Sequence, residues 1–388
     1  MPSMRELVFI KSGALRWHDG AEPTLSCATD ALVRPFIAAR CDGDSVYLRH
    51  NLRKLMVAGA MLHVIDKGFL RPETDPFAGP FAYGHECVAE VLHCGNEVRN
   101  FSRGDFVIVP WAISCGQCST CGAGLTAKCG PARGGSPLAA FGFGRAFGTH
   151  GGMVSDLLRV PWADAMLVAV PDTVDPLAVA SASDNLCDGY RTVARHLRRS
   201  PGSPVLVVGG GAKSIGLYAA GIAHALGSSR VDYVDTCRTR LEMASRLGAN
   251  PIELHKNATW FRAGEPLITG GYPITVDASS TTRGLAYALA ALAPGGSCTG
   301  VGFYVRHGTP LPLWNMYLKG ATLHIGVANA RSDLPAVIEL VRQGSFDPTI
   351  VTSIVAPWDD APSALLERST KVVLRRAPLQ QRAVSPTR

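Results

Sequence analysis

The fold of this chain is decided by one stretch, Val205-Leu206-Val207-Val208-Gly209-Gly210-Gly211-Ala212-Lys213-Ser214-Ile215-Gly216. Its first four residues are all apolar, as in a strand that is buried on both faces of a parallel sheet. The glycines then permit a tight turn into an apolar helix. A pyrophosphate can sit at the start of such a helix, because the free N–H groups there favour anions. The stretch therefore predicts a dinucleotide-binding turn.

The spacing of these glycines matches the dinucleotide-binding pattern G-x-G-x-x-G only in part. Counted back from Gly216, the middle glycine falls on Lys213, so the motif is weak when taken alone. Asp235 strengthens it, because an acid at the end of the next predicted strand would bond the ribose hydroxyls of NAD and repel the extra phosphate of NADP. We therefore expect NAD(H), while Arg238 and Arg240 leave NADP(H) open; a doubly wound domain without a dinucleotide is the alternative.

Strands and helices alternate on the carboxyl-terminal side of this turn. Strands are predicted at 230–234, 273–277 and 297–301, with helices at 214–226 and 238–247, which indicates a doubly wound parallel sheet covered by helices on both faces. The residues expected at the dinucleotide are Gly209, Gly211, Lys213, Ser214, Ile215, Gly216, Asp235, Arg240 and Val301. On the amino-terminal side, residues 4–110 alternate β-rich runs with Gly/Pro turns and predict a β-rich domain, with a helical insertion at 47–67.

Length and composition set the outer limits of the interpretation. The chain has 388 residues, more than the roughly 250–300 at which single cores stop growing, so we expect two domains. With 47% apolar and 18% charged residues, it is not a disordered chain. The net charge of +7 suits an anionic ligand without requiring nucleic acid. Without a signal peptide or an apolar run long enough to span a membrane, the sequence predicts a cytoplasmic protein with no membrane contact.

Four of the eleven cysteines are crowded into a short segment with the spacing C-x2-C-x2-C-x7-C. In a chain without an export signal, this spacing indicates metal thiolates rather than disulfides. Four thiolates surround a zinc ion tetrahedrally and leave no position open, so the site would be structural. The alternatives are unrelated buried cysteines and a nucleic-acid-binding lobe, although no basic and aromatic residues flank the cluster. The predicted ligands are Cys115, Cys118, Cys121 and Cys129.

These motifs, in this order, resemble the zinc-dependent medium-chain alcohol dehydrogenases over nearly the whole chain. The matching segments are Ala31-Leu32-Val33-Arg34, Cys41-Asp42-Gly43-Asp44, Gly84-His85-Glu86 and Gly104-Asp105-Phe106-Val107, followed by the four-cysteine lobe and the glycine turn. The resemblance implies a GroES-like catalytic domain at 1–180 with its zinc lobe at 112–132, a Rossmann domain at 181–312, and a return to the catalytic domain at 313–388.

The resemblance also implies a second, catalytic zinc ion, and hence two zinc ions per chain. Cys41 and His85 match two of its ligands. The stretch 181–190 resembles the subgroup that includes glutathione-independent formaldehyde dehydrogenases and uses Asp as the third ligand. This favours Asp184 over Cys187, because a carboxylate in place of a thiolate keeps the charge balance.

The same resemblance gives roles to three charged residues near the catalytic metal. Asp44 would orient His85, Glu86 would approach the metal during ligand exchange, and Lys371 would lie near the cofactor pyrophosphate. For the two acids, the alternative is a hydrogen-bonded carboxylate in a turn.

The sequence departs from the family at its proton relay. The Ser or Thr that begins the relay is replaced by Gly43, so Ser45, Tyr47 or His50 would have to take over, unless they are surface or capping groups.

The resemblance implies an NAD(H)-linked alcohol dehydrogenase or carbonyl reductase, in which zinc polarises the substrate oxygen during hydride transfer. The partner would be a small alcohol, aldehyde or ketone. The alternatives are a polyol or sugar dehydrogenase, a zinc-independent quinone or enoyl reductase with structural zinc only, and a nonenzymatic zinc-binding module. A predicted strand at 322–327 resembles the segment through which relatives join their sheets, so we expect a homo-oligomer, either a dimer or a tetramer.

Overall fold

The computed structural model describes residues 3–65, 77–255, 258–304, 306 and 308–380. The strands in these ranges are β1 (Ser3–Lys11), β2 (Ala14–Ala21), β3 (Ala31–Ala39), β4 (Phe81–Ala82), β5 (Cys87–Cys94), β6 (Phe106–Val109), β7 (Leu158–Val160), β8 (Val168–Ala169), β9 (Val205–Val208), β10 (Val231–Asp235), β11 (Asn250–Glu253), β12 (Tyr272–Asp277), β13 (Leu292–Gly300), β14 (Thr322–Ile325), β15 (Ile354–Pro357) and β16 (Val372–Arg375).

Helices connect and cover these strands. The α-helices are α1 (Asp44–Arg49), α2 (Leu52–Met61), α3 (Ser119–Gly122), α4 (Gly130–Arg133), α5 (Ala163–Met166), α6 (Asn185–Arg199), α7 (Lys213–Ala225), α8 (Arg238–Arg246), α9 (Thr259–Ala263), α10 (Thr282–Ala290), α11 (Leu313–Lys319), α12 (Ala330–Arg342) and α13 (Ala361–Ala364). Short 3-10 helices lie at Thr126–Lys128, Arg145–Phe147, Pro348–Val351 and Trp358–Asp360.

The six-stranded sheet has the order β11-β10-β9-β12-β13-β14, and all its neighbouring strands are parallel. Numbered from β9, this is the strand order 3-2-1-4-5-6 of a dinucleotide-binding domain. The predicted doubly wound sheet is therefore confirmed. The strand order reverses between β9 and β12, because β10 and β11 are added on one side of β9 and β12 to β14 on the other, so the crevice at their carboxyl ends is where a ligand is expected.

The central strand β9 is buried because both of its faces are covered. Val205 and Val207 pack in one apolar cluster with Leu217 of α7, whereas Leu206 and Val208 pack in a second cluster with residues of α10 such as Leu285. Every residue of the strand is apolar for this reason, and the absence of an alternating pattern follows directly from burial on both sides.

The seven-stranded sheet forms the predicted β-rich part of the molecule. Its order is β15-β16-β3-β5-β6-β8, with β7 also paired to β3. β16, near the end of the described chain, lies antiparallel to β3, with Val373 opposite Ala39. β1, β2 and β4 form a separate three-stranded sheet. The chain thus returns to its amino-terminal sheet after it has built the parallel one.

The predicted division into domains stays a prediction, and the strand order changes one boundary. β14 pairs with β13 through the register Ser297 to Thr322, so residues up to 325 stay with the six-stranded sheet. The return predicted at 313 is therefore placed too early.

The helical insertion predicted at 47–67 consists of two short helices rather than one. The side chain of Asn51 accepts a hydrogen bond from the backbone N–H of Lys54 and starts α2 as a separate helix. Residues 66–76, which carry part of this prediction, lie outside the described residues. Within the described ranges, no helix is long and apolar enough to cross a membrane.

Candidate metal centre and dinucleotide turn

Three predicted metal ligands from distant parts of the chain lie close together. Cys41 follows β3, His85 precedes β5, and Asp184 precedes the first residue of α6. Their donor atoms lie within 4.8 Å of one another. Asp184 Oδ2 is 3.1 Å from Cys41 Sγ and 3.4 Å from His85 Nε2. This group can form only when both sheets have folded. Two of the predicted ligands lie next to strands of the seven-stranded sheet, and the third lies at the start of a helix that packs on the parallel sheet.

The geometry and the charge of this group fit a metal ion. Ligands bound tetrahedrally to zinc at 2.0–2.3 Å lie roughly 3.3–3.8 Å apart. Among the residues that the structure describes, neither buried ring nitrogen of His85 has a hydrogen-bond partner, although buried polar groups are normally paired. Burial lowers the pKa of His85, but the carboxylates of Asp44 and Asp184 outweigh it and raise this pKa to about 9. The pocket therefore favours a cation, and a metal ion would provide one.

Cys187, the rival third ligand, lies outside this group. Its Sγ donates to the carbonyl oxygen of Ala182 at 3.0 Å and to that of Ala330 at 3.7 Å. These contacts hold the thiol in the core between α6 and α12. The geometry therefore supports Asp184 as the third ligand.

Asp44 is held in place by two buried tyrosines that the sequence did not reveal. Tyr47 donates to its Oδ1 at 2.8 Å and Tyr83 donates to its Oδ2 at 2.8 Å. The same Oδ1 lies 3.7 Å from His85 Nδ1. Asp44 is thus placed to orient the imidazole, as the resemblance implies, and the tyrosines fix the carboxylate itself.

The alternative starting points for a proton relay are used elsewhere. The hydroxyl of Tyr47 donates to Asp44, and that of Ser45 donates to the carbonyl oxygen of Asp42 at 2.5 Å. His50 is exposed and caps the end of α1 through its backbone. Ser45 and His50 match the alternative of capping and surface groups, whereas Tyr47 is buried and bound to Asp44.

Lys371 is not placed as the resemblance implies. It is fully buried, and its ammonium group donates to Glu86 Oε2 and Asn185 Oδ1, both at 2.7 Å, and to the carbonyl oxygen of Arg40 at 2.9 Å. These three bonds use all of its protons, so none is left for a pyrophosphate. Lys371 instead neutralises Glu86: burial raises the pKa of this carboxyl to about 7, and Lys371 opposes the rise.

Asn185 connects the predicted metal ligands to their surroundings and was missed in the sequence. Its side-chain N–H group donates to Cys41 Sγ and to Asp184 Oδ2, both at 3.2 Å. Its backbone N–H donates to Glu86 Oε1 at 2.9 Å. The only available sequence signal was its position directly after Asp184, at the start of a helix.

The four cysteines of the predicted structural site also lie together. Their sulfur atoms are within 4.8 Å of one another. The Sγ atom of Cys118 lies 3.5 Å from Sγ of Cys121 and 4.0 Å from Sγ of Cys129. Sulfur atoms bound to one zinc ion at 2.3 Å are expected about 3.8 Å apart. The N–H group of Cys121 lowers the pKa of Cys118 to about 6, which favours the thiolate needed for metal binding. The residues present fit a zinc ion.

The structure offers a second register for the dinucleotide turn beside the one counted in the sequence. β9 ends at Val208 and α7 begins at Lys213, so a count forward from the end of the strand reads Gly209-x-Gly211-x-x-Ser214. Gly216 lies in the first turns of α7, where a Cβ atom would be 2.9 Å from the Cβ of Ala278, and such close packing is the role of the third glycine of the motif. Gly210 requires a positive φ of 156°, and a Cβ atom there would lie 2.7 Å from Ser279.

The other predicted contacts of the dinucleotide lie around the same crevice. Val301 packs against Ala212 and Ile215 at the start of α7. Asp235 ends β10, but its oxygens already accept hydrogen bonds from Arg240 at 2.6 and 2.7 Å and from Tyr233 at 3.0 Å. The frame of the crevice fits a dinucleotide, while the acid expected to bind ribose has internal partners.

The start of α7 also has an internal partner. Oδ2 of Asp42 accepts hydrogen bonds from the backbone N–H groups of Ser214 at 2.7 Å and Ile215 at 3.1 Å, and from the Ser214 hydroxyl at 3.0 Å. The Lys213 ammonium group donates to the carbonyl oxygen of Ser369 at 3.1 Å. Asp42 and Ser369, which lie next to strands of the seven-stranded sheet, therefore already contact the predicted phosphate-binding residues.

Comparison with known proteins identifies the family. The family model "Alcohol dehydrogenase GroES-like domain" matches residues 30–172, and the model "Zinc-binding dehydrogenase" matches residues 214–343. Together they match more than half of the chain. It belongs to the zinc-dependent alcohol dehydrogenase family. The resemblance seen in the sequence is thereby confirmed, and membership of this family places the chain among the oxidoreductases.

Relatives within the zinc-dependent alcohol dehydrogenases span most of the chain. A probable zinc-binding alcohol dehydrogenase of Mycobacterium tuberculosis is 29% identical over 360 residues, which are 92% of this chain and 83% of that protein. A glutathione-independent formaldehyde dehydrogenase of Bacillus subtilis is 31% identical over 227 residues, 56% of this chain and 54% of that protein. The solved alcohol dehydrogenase of Thermus sp. ATN1 has a TM-score of 0.77 and 27% identity, and the match covers 96% of this chain and 99% of that one.

One further residue of this alcohol dehydrogenase family member adjoins the metal ligands. Phe143 stacks on the ring of His85, with centroids 4.3 Å apart and an interplanar angle of 27°. Trp111 and Phe147 contact Phe143 edge to face at 6.0 and 5.6 Å. Sequence reasoning missed this aromatic group because Phe143 lies between glycines in an irregular segment and Trp111 comes from a distant one.

Proposed function

We propose that this chain is a zinc-dependent, nicotinamide-linked alcohol dehydrogenase or carbonyl reductase. The observation that carries the proposal is the group formed by Cys41, His85 and Asp184, in which neither histidine nitrogen has a hydrogen-bond partner within the described part of the chain. Three protein ligands are the number found in catalytic zinc sites, which keep a fourth position for water or substrate. When bound, zinc would polarise the oxygen of the substrate while the nicotinamide exchanges a hydride.

The surrounding residues hold the ligands in position. Asp44 orients the imidazole of His85, and Asn185 donates to both anionic ligands, Cys41 and Asp184. Lys371 supplies a buried positive charge beside Glu86. This arrangement speaks against a zinc-independent reductase, which would have no use for a cation-binding group at this place. The parallel sheet with its glycine turn speaks against a nonenzymatic zinc module.

The aromatic group beside His85 favours substrates with an apolar portion. Because the partly buried Phe143 stacks on a proposed metal ligand, a substrate bound at the metal would carry its carbon skeleton next to this ring and Phe147, while the buried Trp111 packs against Phe143. Apolar rings stabilise apolar or aromatic groups more than hydroxylated chains. We therefore favour aliphatic or aromatic alcohols and aldehydes over polyols and sugars.

A substrate panel tests this function. Purified protein with its zinc retained is incubated with NAD or NADP and with ethanol, longer primary alcohols, benzyl alcohol, sorbitol or xylitol, and absorbance at 340 nm is followed. The reverse direction uses NADH or NADPH with the matching aldehydes. Turnover of the apolar alcohols or aldehydes is expected. Turnover of polyols alone would move the assignment to a polyol dehydrogenase, and reduction of quinones alone would move it to the zinc-independent reductases.

Asp235 and Arg240 together are expected to set the preference between NAD(H) and NADP(H). Arg240 is bound to Asp235 through two hydrogen bonds, so Asp235 both excludes a ribose phosphate and keeps the arginine occupied. Replacing Asp235 by Ala should remove the repulsion and free Arg240 for the 2′-phosphate. We expect the ratio of NADPH to NADH affinity to rise by at least about tenfold, since hydrogen bonds to charged groups contribute about 1.5–3 kcal/mol each.

Fluorescence titration of the Asp235→Ala variant with NADH and NADPH measures this ratio. The double variant Asp235→Ala/Arg240→Ala is the control, and it should lose the gain for NADPH. An affinity ratio that stays at the wild-type value in the single variant would remove the pair from cofactor selection.

The expectation of a homo-oligomer stays a prediction. β14 is the last strand of the described parallel sheet, and Ile325 on it is exposed. The neighbouring helix α11 exposes Trp314, Tyr317 and Leu318 by 65 to 76%. An open strand edge beside exposed apolar side chains is typical of a surface that pairs with another chain.

A further inference from the structure

The side chain of Asp42 lies at the first turn of α7, although its neighbour in the chain, Cys41, is a proposed metal ligand. Oδ2 of Asp42 accepts three hydrogen bonds there, from two backbone N–H groups and from the hydroxyl of Ser214. Only 6% of Asp42 is exposed. The carboxylate is thus a buried anion fixed at the amino-terminal end of a 13-residue helix.

The hydrogen-bond donors that Asp42 uses are those that the dinucleotide needs. The first N–H groups of a helix have no partner within the helix, and the helix dipole makes this end attractive for anions. Ala212, the residue before α7, has no side-chain group that could cap it. In a dinucleotide-binding turn, the diphosphate occupies this end of the helix. Two anions therefore compete for one set of donors.

We propose that Asp42 is an internal competitor of the cofactor diphosphate, which the cofactor displaces from the start of α7 when it binds. This inference rests on the proposed nicotinamide-linked function. It identifies Asp42 as the residue that weakens cofactor binding, although it lies in the catalytic part of the chain. Because like charges at short range repel strongly at protein-like dielectric constants, the neutral variant Asp42→Asn should bind the cofactor more tightly.

A purely structural cap would behave in the opposite way. If Asp42 only stabilised the helix, its replacement would lower the melting temperature and leave the affinity for NADH unchanged or weaker. Asp347 provides a matched control. Its Oδ1 accepts hydrogen bonds from the N–H group of Thr349 at 2.9 Å and from the Thr349 hydroxyl at 2.6 Å, so it also caps a helical segment through a backbone and a hydroxyl donor.

The control lies away from the crevice. Phe346, the neighbour of Asp347, packs against the position of Gly221, which is two turns along α7 from Ser214 and about 10 Å away by helical rise. Asp347→Asn therefore removes one negative charge and one cap without touching the predicted phosphate position.

The test is a fluorescence titration with NADH of the zinc-containing wild type, Asp42→Asn and Asp347→Asn. We expect the dissociation constant of Asp42→Asn to fall at least about tenfold and that of Asp347→Asn to stay within about twofold of the wild type. Adenosine, which carries no phosphate, is measured by displacement of NADH and should bind equally to all three proteins. Asp42→Gly is the second variant, and it should also bind NADH more tightly because it removes the carboxylate altogether.

The outcomes separate this inference from the proposed function. If the wild type binds NADH as tightly as both Asp42 variants, or more tightly, the inference that Asp42 competes with the diphosphate is overturned, and the dehydrogenase function stays in place. Equal gains for NADH and adenosine also overturn it, because the effect would then not involve phosphate. If neither the wild type nor any variant binds NADH or NADPH, the nicotinamide-linked function fails and the inference fails with it. Zinc content measured on each protein shows whether the neighbouring metal site is intact.

Discussion

Asp184→Ala is expected to reduce the zinc content from about two ions per chain to about one and to lower turnover by at least about a thousandfold. The carboxylate is one of three converging ligands, and its loss leaves two, which is fewer than a catalytic zinc site uses. A Lewis acid contributes several kcal/mol to the reaction, and each 1.36 kcal/mol corresponds to a factor of ten in rate. Elemental analysis and steady-state kinetics on freshly purified protein without chelator measure both effects.

Cys187→Ser is the matched control for this variant. Cys187 lies three residues further along the chain and was the rival ligand, but its thiol donates to the carbonyl oxygen of Ala182, a bond that a serine hydroxyl also makes. This variant should keep both zinc ions and its turnover, and Asp184→Ala should still bind NADH. Two zinc ions in Asp184→Ala together with loss of one in Cys187→Ser would reverse the assignment. One zinc ion in the wild type and in both variants would leave only the four-cysteine site metallated.

Cys129→Ser is expected to remove the other zinc ion and to lower the melting temperature by about 10 °C or more. Structural zinc contributes apparent binding free energies of about 10–16 kcal/mol in small zinc-binding peptides, and the buried residues of the apolar cluster around Cys129 are the cysteines themselves. For a domain of this size, a loss of 1 kcal/mol lowers the melting temperature by about 2–4 °C. Scanning calorimetry and zinc analysis give the two values.

The control for this second variant is Cys27→Ser, which removes an exposed thiol outside the lobe. It should keep its zinc and its melting temperature. A Cys129→Ser protein that retains two zinc ions, or that melts together with the wild type, would show that the four cysteines are not a stabilising metal site. At temperatures below its melting transition, the Cys129→Ser protein should still hold zinc at the proposed catalytic site.

The sequence predicted those features that depend on local spacing. The apolar run at 205–208 and the glycines after it predicted β9 and its turn, because burial on both faces excludes polar residues. The C-x2-C-x2-C spacing predicted the zinc lobe, because neighbouring thiolates can reach one ion only from tight turns. The three metal ligands came from the family resemblance rather than from spacing, since His85 and Asp184 are 99 residues apart.

The remaining features depend on contacts between distant segments. Lys371 was expected at the pyrophosphate, but it is buried against Glu86, which comes from the other end of the chain. Asp42 lies in a short loop, and nothing in the neighbouring residues shows that its carboxylate reaches α7. Asn185 follows a metal ligand and resembles an ordinary first residue of a helix. In each of these three residues, the contacts depend on the direction in which the side chain points, and that direction is set by the packing of the folded chain.

The pairing of β16 with β3 has a consequence for the synthesis of this protein. β3 is synthesised before the parallel sheet, whereas its neighbour β16 and the buried Lys371 just before it are synthesised after that sheet. Until then, residues 37–39 of β3 lack their partner on the edge that β7 shares with β16, and Glu86 lacks its counter-ion. Because such long-range pairing is slow and an open strand edge promotes aggregation, the nascent chain is most vulnerable while the parallel sheet is being made. Truncation before residue 371 should therefore yield insoluble protein, even though the parallel sheet would be complete.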